Sequence, residues 1–259
     1  MFDRDDGRSR EFATDGRKLG DGLQGDKGYR ARVADVIAHR GASRRARENT
    51  VEAFRWAVEL GADGMELDAR RTRDGVLVVH HDPFLADGRP IVDTALRDLP
   101  KHVPTLGAAL DACSGAAVNI EIKNSDLEPD FDPADHVAIE VLAELAERGS
   151  RGGPWIISCF RLATVDRCRA LAPQVPTAWL VMRLDEAVVT TSVEHGHAAV
   201  HPWEQSVTQA IVERCHDAGL AVNVWTCDDP ARAIELDGWG VDGIVTDVPD
   251  VILEALGRS

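Results

Sequence analysis

The chain has 259 residues, 44% of them hydrophobic, and it carries a formal net charge of −15 at pH 7. This length fits a single α/β domain, since an α/β barrel commonly uses about 250 residues. The negative charge argues against nucleic acid or an anionic membrane as a general partner, because both would repel the chain at long range.

Cysteine usage and hydropathy indicate the compartment. Five cysteines are scattered singly along the chain, without a Cys-x-x-Cys pair, which is typical of buried thiols in a reducing compartment. The N-terminus lacks the apolar run of a secretory signal, and no later segment is apolar over the length of a membrane span. We therefore expect a cytoplasmic protein without stable membrane insertion, and the sequence leaves its oligomeric state open.

The predicted elements alternate along the chain. Residues 1–30 are rich in Gly, Asp and Arg and poor in aliphatic side chains, so we predict a disordered tail there and one folded domain over 31–259. The predicted strands, which are short apolar runs, are 33–39, 64–68, 75–81, 117–123, 155–160, 176–181, 198–202, 220–226 and 241–247. The predicted helices, which are mostly amphipathic, are 49–61, 105–113, 132–149, 163–173, 185–196, 206–219, 229–240 and 249–257.

The repeated β-then-α order predicts the fold class. The strands are too hydrophobic for one-sided burial, which indicates a parallel sheet covered by helices. About eight strand–helix units, with 75–81 as an extra strand, fit a closed barrel better than an open doubly wound sheet. No Gly-x-Gly-x-x-Gly follows the first strand, so the dinucleotide-binding alternative lacks its motif. We predict a single-domain α/β protein with a TIM (β/α)8 barrel.

Acidic residues occur at the predicted C-terminal strand ends, where function lies in such barrels. Glu66 and Asp68 are two positions apart on one strand, so both side chains point to the same face. Glu121 ends another strand. Three carboxylates in a confined space would repel each other, and a cation among them resolves the conflict. Oxygen ligands without thiolates or clustered imidazoles suit Mg²⁺ or Ca²⁺.

Basic and titratable residues end the same strands. Arg40 and Lys123 beside a carboxylate–metal site suit a phosphate group, which a guanidinium can bind through two hydrogen bonds. His39 and His81 titrate near neutral pH, so one could deprotonate an attacking oxygen and the other protonate a leaving alkoxide. His80 alternates with His81 and should face away. Together these residues predict metal-assisted hydrolysis of a phosphoester.

Short motifs that follow one another along the chain carry a family resemblance. They are His-Arg-Gly at 39–41, Glu-Asn-Thr at 48–50, Glu-Leu-Asp at 66–68, His-Asp at 81–82, Pro-Thr-Leu at 104–106, Glu-Ile-Lys at 121–123, Ile-Ser-Cys-Phe at 157–160, Val-Trp-Thr at 224–226 and the run at 240–249. In this order they resemble the glycerophosphodiester phosphodiesterase family, from Val36 to the C-terminus. The resemblance implies a TIM-barrel hydrolase of lipid and glycerol metabolism. Its substrate would be a small-molecule glycerophosphodiester, cleaved to an alcohol and sn-glycerol 3-phosphate.

The resemblance also implies a role for individual residues. These would be the ligands of a divalent metal ion (Glu66, Asp68, Glu121), the acid–base pair (His39, His81), the phosphate-binding cations (Arg40, Lys123) and an apolar wall against the organic part of the substrate (Trp225, Phe160). Glu48 and Asn49 would chiefly organise their loop and cap the helix that starts at Thr50, and a direct contact with the substrate is the alternative role.

Two departures from the family pattern leave alternatives open. The segment between His-Asp and Pro-Thr-Leu is short and lacks the Arg-Thr-Thr of many members, so other headgroups or larger diesters could enter. A lysophospholipase D or sphingomyelinase D-like enzyme acting on lipids is one alternative, and a non-catalytic phosphate-ligand binding protein is another. The arginines Arg44, Arg45 and Arg47 either attract a polyanionic substrate or offset the acidic surface.

Overall fold

A computed structural model of the chain describes residues 33–113, 115–149 and 153–258. The tail predicted over 1–30 lies outside these residues. The strands are β1 (Asp35–Ala38), β2 (Gly64–Arg71), β3 (Leu77–Val79), β4 (Ala117–Ile122), β5 (Trp155–Cys159), β6 (Thr177–Val181), β7 (Ala199–Pro202), β8 (Ala221–Val224) and β9 (Gly243–Thr246). The α-helices are α1 (Val51–Glu59), α2 (Leu106–Ala112), α3 (His136–Arg148), α4 (Leu162–Leu171), α5 (Glu186–Glu194), α6 (Gln209–Asp217), α7 (Pro230–Gly238) and α8 (Pro249–Ala255).

Eight of the strands form a closed parallel barrel. Strand β1 pairs in parallel with both β2 and β9, and parallel pairs connect the other barrel strands in the order β2, β4, β5, β6, β7, β8, β9. The helices alternate with these strands along the chain. The prediction of a TIM (β/α)8 barrel in one α/β domain is confirmed. In this fold all the C-terminal strand ends meet at one rim.

The extra strand lies outside the barrel and changes the length of β2. Strand β3 runs antiparallel to the end of β2, with Ala69 opposite Val79 and Arg71 opposite Leu77. Because this partner continues the hydrogen-bond ladder, β2 extends past its expected end at Asp68. The backbone amide of His80 then donates to the Asp68 carbonyl at 3.0 Å. The chain that follows β3 is thereby brought back to the mouth of the barrel.

The strands divide their side chains between the helices and the barrel interior. On β2, Met65 and Leu67 are fully buried and pack in an apolar cluster with side chains of α1 to α4. The residues between and after them, Glu66 and Asp68, point to the other face, as period-2 alternation requires. A second apolar cluster joins β7, β8 and β9 to α5, α6, α7 and α8. The helices therefore cover the outside of the barrel and leave polar groups at its mouth.

The structure bears on two expectations from the sequence, one about the thiols and one about membrane spans. All five cysteines are free and buried, as expected of small core residues, and burial raises the pKa of the Cys113 thiol to about 12. Within the described part of the chain, no helix combines the length and apolar character that a membrane span needs.

The core under the rim generates a stability prediction. Phe54 of α1 is fully buried in the first apolar cluster, and replacing it with alanine leaves a cavity. We expect Phe54→Ala to lower the free energy of unfolding by about 3–5 kcal/mol, as measured by urea denaturation. Phe84→Ala is the matched control, since Phe84 is 44% exposed, and it should cost about 1 kcal/mol or less. Equal losses in the two variants would contradict this packing.

Candidate active site

The mouth of the barrel contains a pocket of about 120 Å³, which we call the central pocket. Eight of the nine predicted site residues line it, namely His39, Arg40, Glu66, His81, Glu121, Lys123, Phe160 and Trp225. The ninth, Asp68, lies beneath them and is 1% exposed. His80, which follows the end of β3, lines a neighbouring groove and not the central pocket. Most of these residues converge because they lie at the C-terminal ends of parallel barrel strands, and His81 joins them because the chain after the antiparallel β3 returns to the mouth.

Three carboxylates form the floor on one side of the central pocket. Oxygen atoms of Glu66, Asp68 and Glu121 lie within 4.8 Å of one another. Among the described residues, Glu66 Oε1 and Asp68 Oδ1 are buried and accept no hydrogen bond. Buried oxygens without donors are costly unless a cation balances them. This donor set fits a hard divalent ion such as Mg²⁺ or Ca²⁺.

The two β2 carboxylates differ in their electrostatic surroundings. Burial alone would raise the pKa of Asp68, but Lys123 and Arg40 outweigh it and lower the pKa. Lys123 Nζ lies 3.5 Å and Arg40 Nε 3.4 Å from the Asp68 carboxylate. Burial and the neighbouring charge of Asp68 raise the pKa of Glu66. Glu66 thus needs an additional positive charge to be fully ionised at neutral pH.

A sharp turn after β1 positions the first part of the site. Arg40 and Gly41 both have left-handed backbone conformations, with φ of 57° and 81°. A Cβ atom at Gly41 would lie 2.6 Å from the backbone of Ala53, so only glycine lets the turn pack against α1. The turn directs the Arg40 amide to Glu66 Oε2 at 3.0 Å. The conformation of His-Arg-Gly therefore orders a carboxylate of the next strand.

The two cations keep their charge inside the pocket because carboxylates surround them. Arg40 Nη1 donates to Glu48 Oε1 at 3.0 Å, and Lys123 Nζ donates to Glu121 Oε1 at 2.8 Å. Burial alone would lower the pKa of Lys123, but Glu121 and Asp68 outweigh it and raise the pKa. Both side chains also line the central pocket. They are therefore placed to attract an anion such as a phosphate.

Each of the two pocket histidines has an aspartate on its Nδ1 atom. His39 Nδ1 lies 2.7 Å from Asp247 Oδ1, and His81 Nδ1 lies 2.7 Å from Asp82 Oδ1. This contact leaves Nε2 as the ring nitrogen for proton transfer. Burial alone would lower the pKa of His39, but the Asp247 hydrogen bond and the charge of Glu66 raise it.

An apolar wall closes another side of the central pocket. The rings of Phe160 and Trp225 meet edge to face, with centroids 5.4 Å apart. Trp225 Nε1 donates to the His201 carbonyl at 2.7 Å, which fixes the indole. Beneath it, burial lowers the pKa of the His201 side chain to about 3. His201 is therefore neutral at physiological pH and acts as a structural part of the floor.

Two residues hold the site through contacts that the sequence did not predict. Asn49 Nδ2 donates to Asp68 Oδ2 at 2.7 Å, whereas the N-cap of α1 is Thr50. Arg70 is fully buried, and its Nε donates to the His81 carbonyl at 2.9 Å. The sequence pattern could have predicted that Arg70 points to the same face as Glu66 and Asp68, because the three residues are two positions apart along β2.

The arginine cluster after β1 does not line the central pocket. Arg45 Nη2 binds Asp250 Oδ2 at 2.7 Å, and Arg44 lies 3.8 Å from Asp228 and from Asp247. Arg47 contacts His102 and lines the neighbouring groove, which His81 also borders. For Arg44 and Arg45, the pairs agree with the interpretation that they offset acidic side chains.

The contact between Asp247 and His39 generates a pH prediction. With Asp247→Asn, burial should dominate, so we expect the pKa of His39 to fall. The imidazole would then lose its proton at a lower pH than in the unmodified chain. An NMR titration of the His39 ring in the presence of EDTA measures this. Asp250→Asn is the control, since Asp250 binds Arg45 and not His39. A His39 pKa unchanged by Asp247→Asn would refute the assignment.

Comparison with known proteins identifies the family. The model of the glycerophosphoryl diester phosphodiesterase family matches residues 39–251. A glycerophosphodiester phosphodiesterase of Caldanaerobacter subterraneus subsp. tengcongensis is 31% identical over 252 residues, which cover 86% of this chain and 98% of that protein. A glycerophosphodiester phosphodiesterase of Bacillus subtilis is 28% identical, and the match covers 83% of this chain and 84% of that protein.

Solved structures have the same architecture. A phosphodiesterase of Oleispira antarctica in complex with the product sn-glycerol 3-phosphate superposes with a TM-score of 0.80 at 25% identity, covering 87% of this chain and 97% of that one. The glycerophosphodiester phosphodiesterase of Thermotoga maritima has a TM-score of 0.72 at 26% identity, covering 85% of this chain and 97% of that one. From the family match, the relatives and the barrel, the chain belongs to the glycerophosphoryl diester phosphodiesterase family and is an enzyme of that family.

Proposed function

We propose that this enzyme hydrolyses glycerophosphodiesters to an alcohol and sn-glycerol 3-phosphate, with a divalent metal ion, Mg²⁺ or Ca²⁺, held by Glu66, Asp68 and Glu121. The observation that carries the proposal is the carboxylate cluster in which Glu66 Oε1 and Asp68 Oδ1 accept no hydrogen bond from a described residue, placed beside two cations and two histidines. The relative solved with sn-glycerol 3-phosphate supports the choice of substrate. The cytoplasmic location, and a part in lipid and glycerol metabolism, stay predictions.

The charge balance of the central pocket supports this combination of metal and substrate. The carboxylates of Glu66, Asp68 and Glu121 face the cations of Arg40 and Lys123, and Glu48 also pairs with Arg40, so the ionised groups have an excess of negative charge. A phosphodiester monoanion would add another negative charge and be repelled. A divalent cation would offset the excess negative charge, so that the monoanion can enter these low-dielectric surroundings.

The residues of the pocket divide the work of phosphodiester hydrolysis. A divalent ion would neutralise charge on a phosphoryl oxygen and polarise the phosphorus. Arg40 and Lys123 bind and orient the phosphate through charge-assisted hydrogen bonds. One imidazole, of His39 or His81, accepts a proton from the attacking oxygen, and the other donates a proton to the leaving alkoxide. The attacking oxygen belongs either to water or to a neighbouring hydroxyl of the substrate.

Two further groups would exclude water and hold the rest of the substrate. Phe160 and Trp225 form the apolar wall beside the phosphate position, where the carbon skeleton of the glycerol can pack. Asp247 and Asp82 hold the rings of His39 and His81 in a fixed orientation. A fixed imidazole loses less entropy when the substrate binds, and this accelerates proton transfer.

Metal dependence gives a direct prediction. EDTA should abolish hydrolysis of glycerophosphocholine, and added Mg²⁺ or Ca²⁺ should restore it. Glu66→Gln should lower kcat/KM by at least about 100-fold, because it removes a metal ligand from the charge balance. Release of sn-glycerol 3-phosphate measures both effects, and lysophosphatidylcholine tested in parallel distinguishes a lipid-specific enzyme. Glu52→Gln, on the exposed first turn of α1, should leave the rate unchanged. Activity that survives both chelation and Glu66→Gln would exclude this mechanism.

The placement of His81 gives a second prediction. Arg70 is fully buried and binds the His81 carbonyl through Nε, and its Nη1 binds Glu128 Oε2 at 3.0 Å. Arg70→Lys keeps the charge but removes the forked geometry, so His81 should be misplaced. We expect kcat to fall about 10–100-fold with little change in KM. This pattern indicates a positioning residue, since general loss of structure would also change KM.

Arg71→Lys is the matched control for this experiment. The side chain of Arg71, which follows Arg70 on β2, is 38% exposed and pairs with Glu140 on α3. This ion pair lies away from the two imidazoles of the pocket. Its kcat and KM should stay near those of the unmodified enzyme. Thermal melting of both variants verifies that they are folded. If Arg70→Lys and Arg71→Lys have the same kcat, Arg70 does not position His81.

A further inference from the structure

A second cluster of metal-binding residue types lies at the opposite end of the barrel. It consists of Asp166 on α4 with His195 and His197, which follow α5 and precede β7. Thr177, the first residue of β6, contacts His197. These residues therefore lie at the N-terminal ends of the strands, whereas the central pocket lies at their C-terminal ends. The residues of the central pocket and of this cluster do not overlap.

The distances in this cluster are those of groups that could share one ion. Asp166 Oδ1 lies 2.8 Å from His195 Nδ1 and 3.2 Å from His197 Nε2. The candidate ligand atoms of all three residues lie within 4.8 Å of one another. Within the described part of the chain, no Lys or Arg side chain forms an ion pair with the Asp166 carboxylate, and the basic groups beside it are these two rings. One carboxylate thus faces two imidazole nitrogens.

The end of α5 explains why two histidines turn to the same carboxylate. Gly196 has a left-handed φ of 74°. The amide of His197 donates to the Ser192 carbonyl at 3.0 Å, and the amide of Gly196 donates to the Val193 carbonyl at 3.0 Å. These two bonds form the Schellman motif, which reverses the chain direction at a helix end. The reversal brings residues on either side of the glycine to one side of the turn.

The environment of the His197 side chain indicates a bound ligand. Its side chain has no exposed surface, and its Nε2 has no hydrogen-bond partner among the described residues. Its Nδ1 lies 2.9 Å from Thr177 Oγ1. If that hydroxyl accepts the Nδ1 proton, the lone pair of Nε2 points towards Asp166. Histidines that bind metals are held in this way by a hydrogen bond on the other ring nitrogen.

We propose that Asp166, His195 and His197 form a binding site for a transition-metal dication such as Zn²⁺. Imidazole nitrogens favour Zn²⁺ and its neighbours over Mg²⁺ and Ca²⁺. The side chains of Asp166 and His195 are 35% and 38% exposed, so an ion can enter from solvent, and water can occupy a fourth position. The bound ion would connect α4 to the turn before β7 and stabilise this end of the barrel.

The surroundings leave the carboxylate available for an ion. The guanidinium of Arg169, which lies beside Gly196, donates through Nε to the Gly196 carbonyl and through Nη1 to the Pro173 carbonyl, each at 2.8 Å. It therefore binds backbone oxygens and does not form an ion pair with Asp166. Elsewhere, His216 pairs with Asp242 at 2.9 Å without a second histidine. The His216–Asp242 pair is a suitable control, because it has the same residue types but too few ligands to bind the ion.

The test counts zinc ions bound by the full chain. Equilibrium dialysis against Zn²⁺ should give one equivalent fewer for His195→Ala than for the unmodified enzyme, and no loss for His216→Ala. Asp68→Asn, in the central pocket, should still bind the zinc ion that His195→Ala loses. The result therefore tests the second cluster even if the function proposed for the central pocket is wrong. Zn²⁺ should also raise the Tm of Asp68→Asn by about 5 °C at 100 times its Kd, and the double variant with His195→Ala should lose this shift.

The proposal is overturned by either of two results. One is equal zinc stoichiometry in His195→Ala and the unmodified chain. The other is a Zn²⁺-dependent Tm shift of Asp68→Asn that the added His195→Ala change leaves intact, which would show that this cluster does not hold the ion. His195 is partly exposed, and circular dichroism verifies that its variant is folded. Co²⁺ in place of Zn²⁺ gives an independent readout, because its visible absorption reports nitrogen ligation and should vanish in the same variant.

Discussion

Burial of ionised carboxylates at the mouth of the barrel is the constraint on which the rest of the site depends. Such groups are tolerated only where opposite charges and donors surround them. The charge of Asp68 is balanced by Arg40 and Lys123, and Asn49 donates a hydrogen bond to it; these residues come from three different segments of the chain. The left-handed turn at Gly41 is needed because it brings one of these cations into place. The loops of the mouth are therefore arranged around the charge balance.

Local patterns predicted much of the fold and of the central pocket. The alternation of apolar strands and helices predicted the barrel, and the two-residue spacing of Glu66 and Asp68 predicted their common face. The contact between Asp247 and His39 could not be predicted, because 208 positions separate the two residues and only closure of the barrel joins them. The extension of β2 was missed for a similar reason, since it depends on pairing with β3 and not on the residues of β2 alone.

The two ends of the barrel illustrate a division between activity and stability. At the C-terminal ends of the strands, the carboxylates of the central pocket keep oxygens that accept no hydrogen bond from the described residues. This arrangement lowers the stability of the fold but provides the groups that catalysis needs. At the N-terminal ends, the Asp166 cluster contacts helix, turn and strand without touching the pocket. Substitutions at that end can change the stability of the fold and leave the geometry of the pocket unchanged.

The hydrogen bond from Arg70 to His81 has a consequence for redesign of this enzyme. Arg70 binds the carbonyl oxygen of residue 81 and not its imidazole, and every amino acid has that oxygen. The anchor therefore fixes the main chain at this position independently of the side chain that it carries. A directed-evolution library at position 81 would inherit a fixed attachment point, so new functional groups could be introduced there without rebuilding the loop that presents them.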